Sequence, residues 1–169
     1  MKKAILLSIL FILCIACTCS SDSSSRKMDI APGASVPENA IPVIYYDYLH
    51  LQLSIDSAEG SFLFDTGFDN LCIDSIFYYS NDMDYLSSSA GRIYGIGNEY
   101  QRLNLIKDTI DFSIDGRNYR TSFIPVLDLK PIGGDYVDGL IGTRHFNGKA
   151  VEINYTRGYI YIHESTDSV

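Results

Sequence analysis

The chain reads as an all-β protein, a closed or half-open β-barrel carrying one or two short helices. Two observations predict it. Short runs rich in β-branched and aromatic residues recur from residue 41 to 163, and Gly, Asp, Asn and Pro signals separate them at close intervals. At most two segments read as helix, both brief. The 13 tyrosines, unaccompanied by any tryptophan, suit amphipathic strands.

In order, Ile41 to Tyr48 is dense in β-branched and aromatic residues, with Pro42 where a strand start or an edge tolerates it. His50 to Ile55 alternates polar and apolar, as a half-buried strand does, and Asp56 to Gly60 turns the chain into the next strand. Phe62, Leu63 and Phe64 form an unbroken apolar run, the pattern of a central strand covered on both faces. Asn70 to Ile73 reads as a short strand. Asp74-Ser75 then starts a helix of one or two turns through Ile76 to Tyr79. Asn81 to Ala90 is polar and serine-rich, and Gly91 to Gln101 reads as a mobile hairpin with a glycine-rich tip. Leu103 to Ile106, Thr109 to Ile114 and Tyr119 to Val126 are further strands, the last two joined by a tight Asp115-Gly116 turn. Pro125 and Pro131, with Gly133-Gly134, bracket a loop. Leu140-Ile141 is a short buried strand, Thr143 to Asn147 a short helix, and Val151 to Tyr155 with Tyr159 to Ile162 a closing hairpin.

The chemistry centres on FLFDTGFDN, Phe62 to Asn70. A carboxylate directly after a buried strand sits where water is scarce, and burial penalises its ionised form unless neighbours donate hydrogen bonds. Two such carboxylates facing each other would share one proton. Asp65-Thr66-Gly67, with hydrophobic residues before it and Phe68-Asp69 after it, resembles the D-T-G-A-D fingerprint of retropepsin-like aspartic proteases. Asp138-Gly139-Leu140-Ile141-Gly142 and the terminal strand pair follow in that family's order, so the resemblance spans residues 41 to 163.

The resemblance implies water-mediated peptide-bond hydrolysis without metal, cofactor or covalent intermediate. Asp65 would be the catalytic acid. Thr66 would tie two catalytic loops together, and the Gly67 carbonyl would receive substrate backbone. The sequence holds one D-T-G triplet, so a complete pair requires a homodimer. Asp69 corresponds to the second acid of the fingerprint, which contacts substrate main chain and is oriented by an arginine just after the Ile-Gly pair. Here Thr143 occupies that place and Arg144 comes one position later, so Arg144 reads as a solvated helix residue. Tyr94, Gly95, Ile96 and Gly97 would form the flap over a bound peptide. Gly95-Ile96-Gly97 is not a phosphate loop, because the third glycine and a following helix are missing. The same residues also fit a barrel that stays monomeric and holds a peptide or partner without cutting it, or one that serves as an envelope spacer.

The remaining features set boundaries. At 169 residues the chain holds one ordinary domain. A net charge of -8 argues against nucleic acid as a partner. Residues 1–17 read as a secretory leader, with Lys2 and Lys3 ahead of an apolar run too short for a comfortable membrane span. Cys14-Ile15-Ala16-Cys17 resembles a bacterial lipobox, which implies a lipid on Cys17 and a protein tethered to a membrane of the cell envelope, periplasmic or surface side; a plain cleaved signal with secretion, or an uncleaved anchor, are the other readings. Residues 18–40, rich in Ser, Asp, Pro and Gly, form a linker, 41–163 the protease-like domain and 164–169 a tail. Cys72, between Leu71 and Ile73, reads as a small buried hydrophobe. Asp138 reads as a turn former rather than a second catalytic acid. His50, His145 and His163 are scattered and attached to no Cys or Glu pattern that would hold a metal.

Overall fold

A computed structural model describes residues 35–45, 47–83, 85, 87–94 and 100–164. The expected leader with Cys17, most of the expected linker, and residues 95–99 and 165–169 lie outside the described residues.

The chain forms a curled half-barrel sheet with a smaller sheet beside it. Strands β1 (Ile41–Pro42), β2 (Ile44–Tyr45), β3 (Leu49–Ile55), β4 (Ala58–Phe64) and β5 (Leu71–Asp74) lead into helix α1 (Ser75–Ser80). A long hairpin of β6 (Ser87–Tyr94) and β7 (Tyr100–Ile106) precedes β8 (Ile110–Ile114), β9 (Arg117–Thr121) and β10 (Ile124–Leu127). After α2 (Lys130–Gly133) and a 3-10 turn at Gly134–Tyr136 come β11 (Gly139–Ile141), a second 3-10 turn at Thr143–Phe146, β12 (Ala150–Asn154) and β13 (Tyr159–His163). The large sheet runs β6-β7-β10-β5-β11-β4-β3-β8-β9, with β2 on β3, and the small one runs β1-β13-β12.

Five expected elements differ. β4 begins at Ala58, inside the expected Asp56 to Gly60 turn, because Ala58, Glu59 and Gly60 pair with Ile55, Ser54 and Leu53. α2 occupies part of the expected loop, with Pro131 in its first turn. The strand anticipated over Ile41 to Tyr48 is split, β1 joining β13 and β2 joining β3. β6 begins at Ser87 inside the serine-rich stretch, because pairing with β7 from Ser87↔Ile106 onward supplies what strand propensity does not. The strand anticipated over Tyr119 to Val126 breaks at Ser122-Phe123, where Phe123 takes φ 57°.

Alternation sorts β4 into two faces. Phe62 and Phe64 join the main core with Leu51, Leu53, Ile55, Leu71, Ile73 and Ile141, while Leu63 joins a second cluster with Cys72, Leu129, Val137 and Leu140. The run FLF is thus apolar at every position because both faces are covered. α1 starts where the sequence signals it: the Asp74 carboxylate caps the helix by accepting from the Ile76 and Phe77 amides (2.7 and 3.2 Å). Its other oxygen accepts from the Leu129 amide (2.9 Å), so one buried side chain joins β5, α1 and the chain leaving β10.

Candidate active site

β4 and β11 run parallel and β5 antiparallel to β11, so their registers fix what surrounds Asp65. Leu140 stands opposite Leu63 on one side and Cys72 on the other. Asp65 prolongs the ladder, its amide donating to the Ile141 carbonyl (3.0 Å). Continued alternation therefore places its side chain on the face of Ser61 and Leu63. There Asp65 is half-buried at the end of an apolar row.

The loop after Asp65 is tightly held. Its carboxylate accepts from the Gly67 amide (2.8 Å), and its carbonyl accepts from the Phe68 amide (3.1 Å). From the other side, the amides of Gly142, Thr143 and Arg144 donate to the carbonyls of Asn70, Phe68 and Asp69 (2.7, 3.0 and 2.9 Å). Two loops far apart in sequence are thereby clamped by three backbone hydrogen bonds. Thr66 and Gly67 lie at the exposed crest.

Arg144 corrects an expectation. Its guanidinium pairs with the Asp69 carboxylate instead of standing free in solvent. The tight 3-10 turn after Gly142 carries Arg144 back over Asp69, a displacement that counting positions along an α-helix does not reveal. Both side chains are more than half exposed, so the pair adds less than about 1 kcal/mol and serves chiefly to orient Asp69.

Tyr94 ends β6 and pairs with Tyr100, which makes the anticipated hairpin real; Gly95, Ile96 and Gly97 fall outside the described residues. The hairpin attaches through β7 to β10, and β10 to β5. Cys72 is fully buried, and burial, reinforced by the Asp74 charge, pushes its thiol up to about 12. Asp138 binds back to β4: its carboxylate accepts from the Ser61 amide (2.7 Å) and its own amide donates to the Ser61 carbonyl (2.9 Å). Among the described residues, no three His, Cys, Asp or Glu converge on a metal-sized site.

His50 stands opposite Leu63 on this face, 3% exposed, with Nδ1 3.1 Å from Ser61 Oγ. Burial lowers its pKa from the ordinary 6.5, against the opposing pull of the Asp138 carboxylate. A folded value below the unfolded one means that the unfolded chain binds the proton first as pH falls. His50 therefore costs stability from about pH 6.5 down to its lowered folded value and adds no further loss beneath it. His145, also lowered by burial, acts in the same direction. The urea midpoint of His50→Gln is expected to fall less than that of the wild type between about pH 7 and about pH 5. Parallel losses would remove His50 from the account.

A groove of about 260 Å³ lies on the opposite, Phe64 side of the loop, lined by Phe64, Thr66, Phe146, Val151 and Ile153 among others. It runs beside β12, which pairs with β13 along one edge.

No family model matches the sequence, and none of the curated proteins matches it significantly. Solved structures do. A retropepsin-like aspartic protease from Rickettsia conorii superposes with a TM-score of 0.52 at 16% identity, covering 76% of this chain and 92% of that one. The retroviral protease-like domain of Ddi1 from Leishmania major gives a TM-score of 0.47 at 14% identity, over 69% of this chain and 89% of its own. At 16% identity the likeness to the Rickettsia structure concerns architecture, and the chain has the retropepsin-like fold.

Proposed function

We propose that the protein is an aspartic endopeptidase that works as a homodimer, each copy contributing Asp65. The observation that carries this reading is the placement of Asp65: a half-buried carboxylate ending a central strand, on a backbone-clamped loop, within a fold similar to that of a retropepsin-like aspartic protease. Brought together about a twofold axis, two such acids hold one proton between them. The ionised member takes a proton from a bound water, and the protonated member donates to the scissile carbonyl oxygen. Thr66 at the crest meets its counterpart, Gly67 and Asp69 take substrate backbone, and the β6–β7 hairpin, with Tyr94, Gly95, Ile96 and Gly97, closes over the peptide.

The outer edge of β12 is free among the described residues, and the groove beside it reaches Thr66. A second copy adding its strand there would satisfy edge hydrogen bonds while approaching the Asp65 loop. The lipobox-like Cys17 fits a tether to the bacterial envelope, with residues 18–40 as the spacer.

The test is the mass in solution of the chain from Met28 onward, with and without a pepstatin-like transition-state analogue, alongside digestion of a peptide library at mildly acidic pH. A dimer, or a monomer driven to dimer by the analogue, together with cleavage, supports the reading. A strict monomer indifferent to the compound and inert toward peptides overturns it.

A further inference from the structure

The row Cys72, Leu140, Leu63 leads across the sheet to the face of Asp65, yet these side chains are 0%, 9% and 7% exposed. What covers them is the chain's own segment between β10 and β11, residues 128–137. Leu129 and Val137, 1% and 5% exposed, close the cluster from above, with Phe68 and Leu127 at its margin.

This segment is built as a strap rather than as part of the sheet. Its residues belong to no strand, and its hydrogen bond to the barrel runs from the Leu129 amide to the Asp74 carboxylate (2.9 Å). The rest of its bonding is internal: the Ile132 and Gly133 amides donate to the Leu129 carbonyl (2.9 and 3.1 Å), and Lys130 pairs with Asp135 (2.7 Å). Its outer side carries Ile132 and Tyr136, 52% and 71% exposed. A segment attached by two apolar side chains and one amide opens at lower cost than a paired strand.

We propose that residues 128–137 are an intrasteric plug, with Leu129 and Val137 occupying the apolar floor of Leu63, Leu140 and Cys72 that a peptide's branched aliphatic side chains take when the strap lifts. The inference rests on the peptide-hydrolase reading for its ligand, while strap opening itself is independent of hydrolysis. The aliphatic character follows from the surfaces involved: the floor presents Leu and Cys, and the present occupants are Leu and Val. A charged side chain there would lose its hydration against a floor of Leu and Cys side chains.

Cys72 reports the opening directly, since its thiol lies under the strap. The experiment uses the full chain carrying Asp65→Asn, so that nothing is cut, and follows N-ethylmaleimide addition to Cys72 by mass spectrometry of the peptide containing it. Val137→Ala and Leu129→Ser are each expected to raise the labelling rate about tenfold or more beyond what their urea midpoints account for, and Tyr136→Ser, on the outer side, to leave it unchanged. A fluorescent hexapeptide rich in Val and Leu is expected to bind Leu129→Ser about tenfold more tightly than the unmodified strap, because the energy of displacing the plug is no longer subtracted. A hexapeptide with Lys in the central positions should gain nothing.

Labelling that merely tracks global unfolding in both strap variants would overturn the plug. So would weaker aliphatic-peptide binding in Val137→Ala, the milder variant, while its fold is intact. Failure of the protease reading shows separately, as absence of cleavage by the chain with Asp65 restored.

Discussion

Replacing Asp65 by Asn is expected to reduce peptide hydrolysis by about three orders of magnitude while leaving thermal stability unchanged. On the proposed mechanism the amide could neither take a proton from water nor hold the shared one, so both halves of the acid–base exchange would fail in the proposed dimer. Its oxygen can still accept from the Gly67 amide, as Oδ1 of Asp65 does at 2.8 Å, so the loop has no reason to rearrange. Initial rates on one cleaved peptide, with parallel melting curves, check both halves of the statement. In the wild type the rate should follow a bell in pH, and its two limbs belong to the pair of carboxyls rather than to either one. Hydrolysis undiminished in Asp65→Asn would place the chemistry elsewhere.

Much of the barrel was legible because burial wrote it into local pattern. The alternation of β3, the Asp74 cap of α1 and the closing hairpin are short-range signals that fall within a residue or two of their expected places, and the unbroken FLF marks the end of β4 but not its start at Ala58. What was illegible depends on distant partners. The break at Ser122-Phe123 is held by Asn70, whose side-chain amide donates to both carbonyls (3.0 and 3.2 Å) while its oxygen accepts from Thr121 (2.6 Å). No feature of Tyr119 to Val126 announces an asparagine some fifty positions earlier in the chain.

The same holds at the candidate site. Asp65 is conspicuous as a lone carboxylate after an apolar run, whereas the reach of Arg144 to Asp69 depends on a 3-10 turn that residue spacing does not reveal. The strap left the faintest trace of all. Leu129 and Val137 flank a loop with no apolar period, and their burial depends on a floor assembled from β4, β5 and β11.

Gly142→Ala is expected to destabilise the domain by about 3 kcal/mol, a large part of the stability of an ordinary domain. The reason is space rather than backbone conformation, since Gly142 has φ −99° and ψ −176°, values open to any residue. An added Cβ would lie 2.3 Å from the Phe68 carbonyl oxygen and 2.5 Å from the Asp69 carbonyl carbon, both backbone atoms of the loop that follows Asp65. Relief requires the two loops to part, and parting them breaks the run of amide-to-carbonyl bonds from residues 142–144 that fixes the Asp65 loop. Gly148→Ala is the informative control: its φ of 76° disfavours a side chain but an added Cβ meets nothing within 4 Å, so the loss there should be near 1 kcal/mol. Urea denaturation of both variants measures the difference. A Gly142→Ala midpoint no lower than that of Gly148→Ala would mean that the clamp yields freely, and the rigid placement of Asp65 argued from it would then fail.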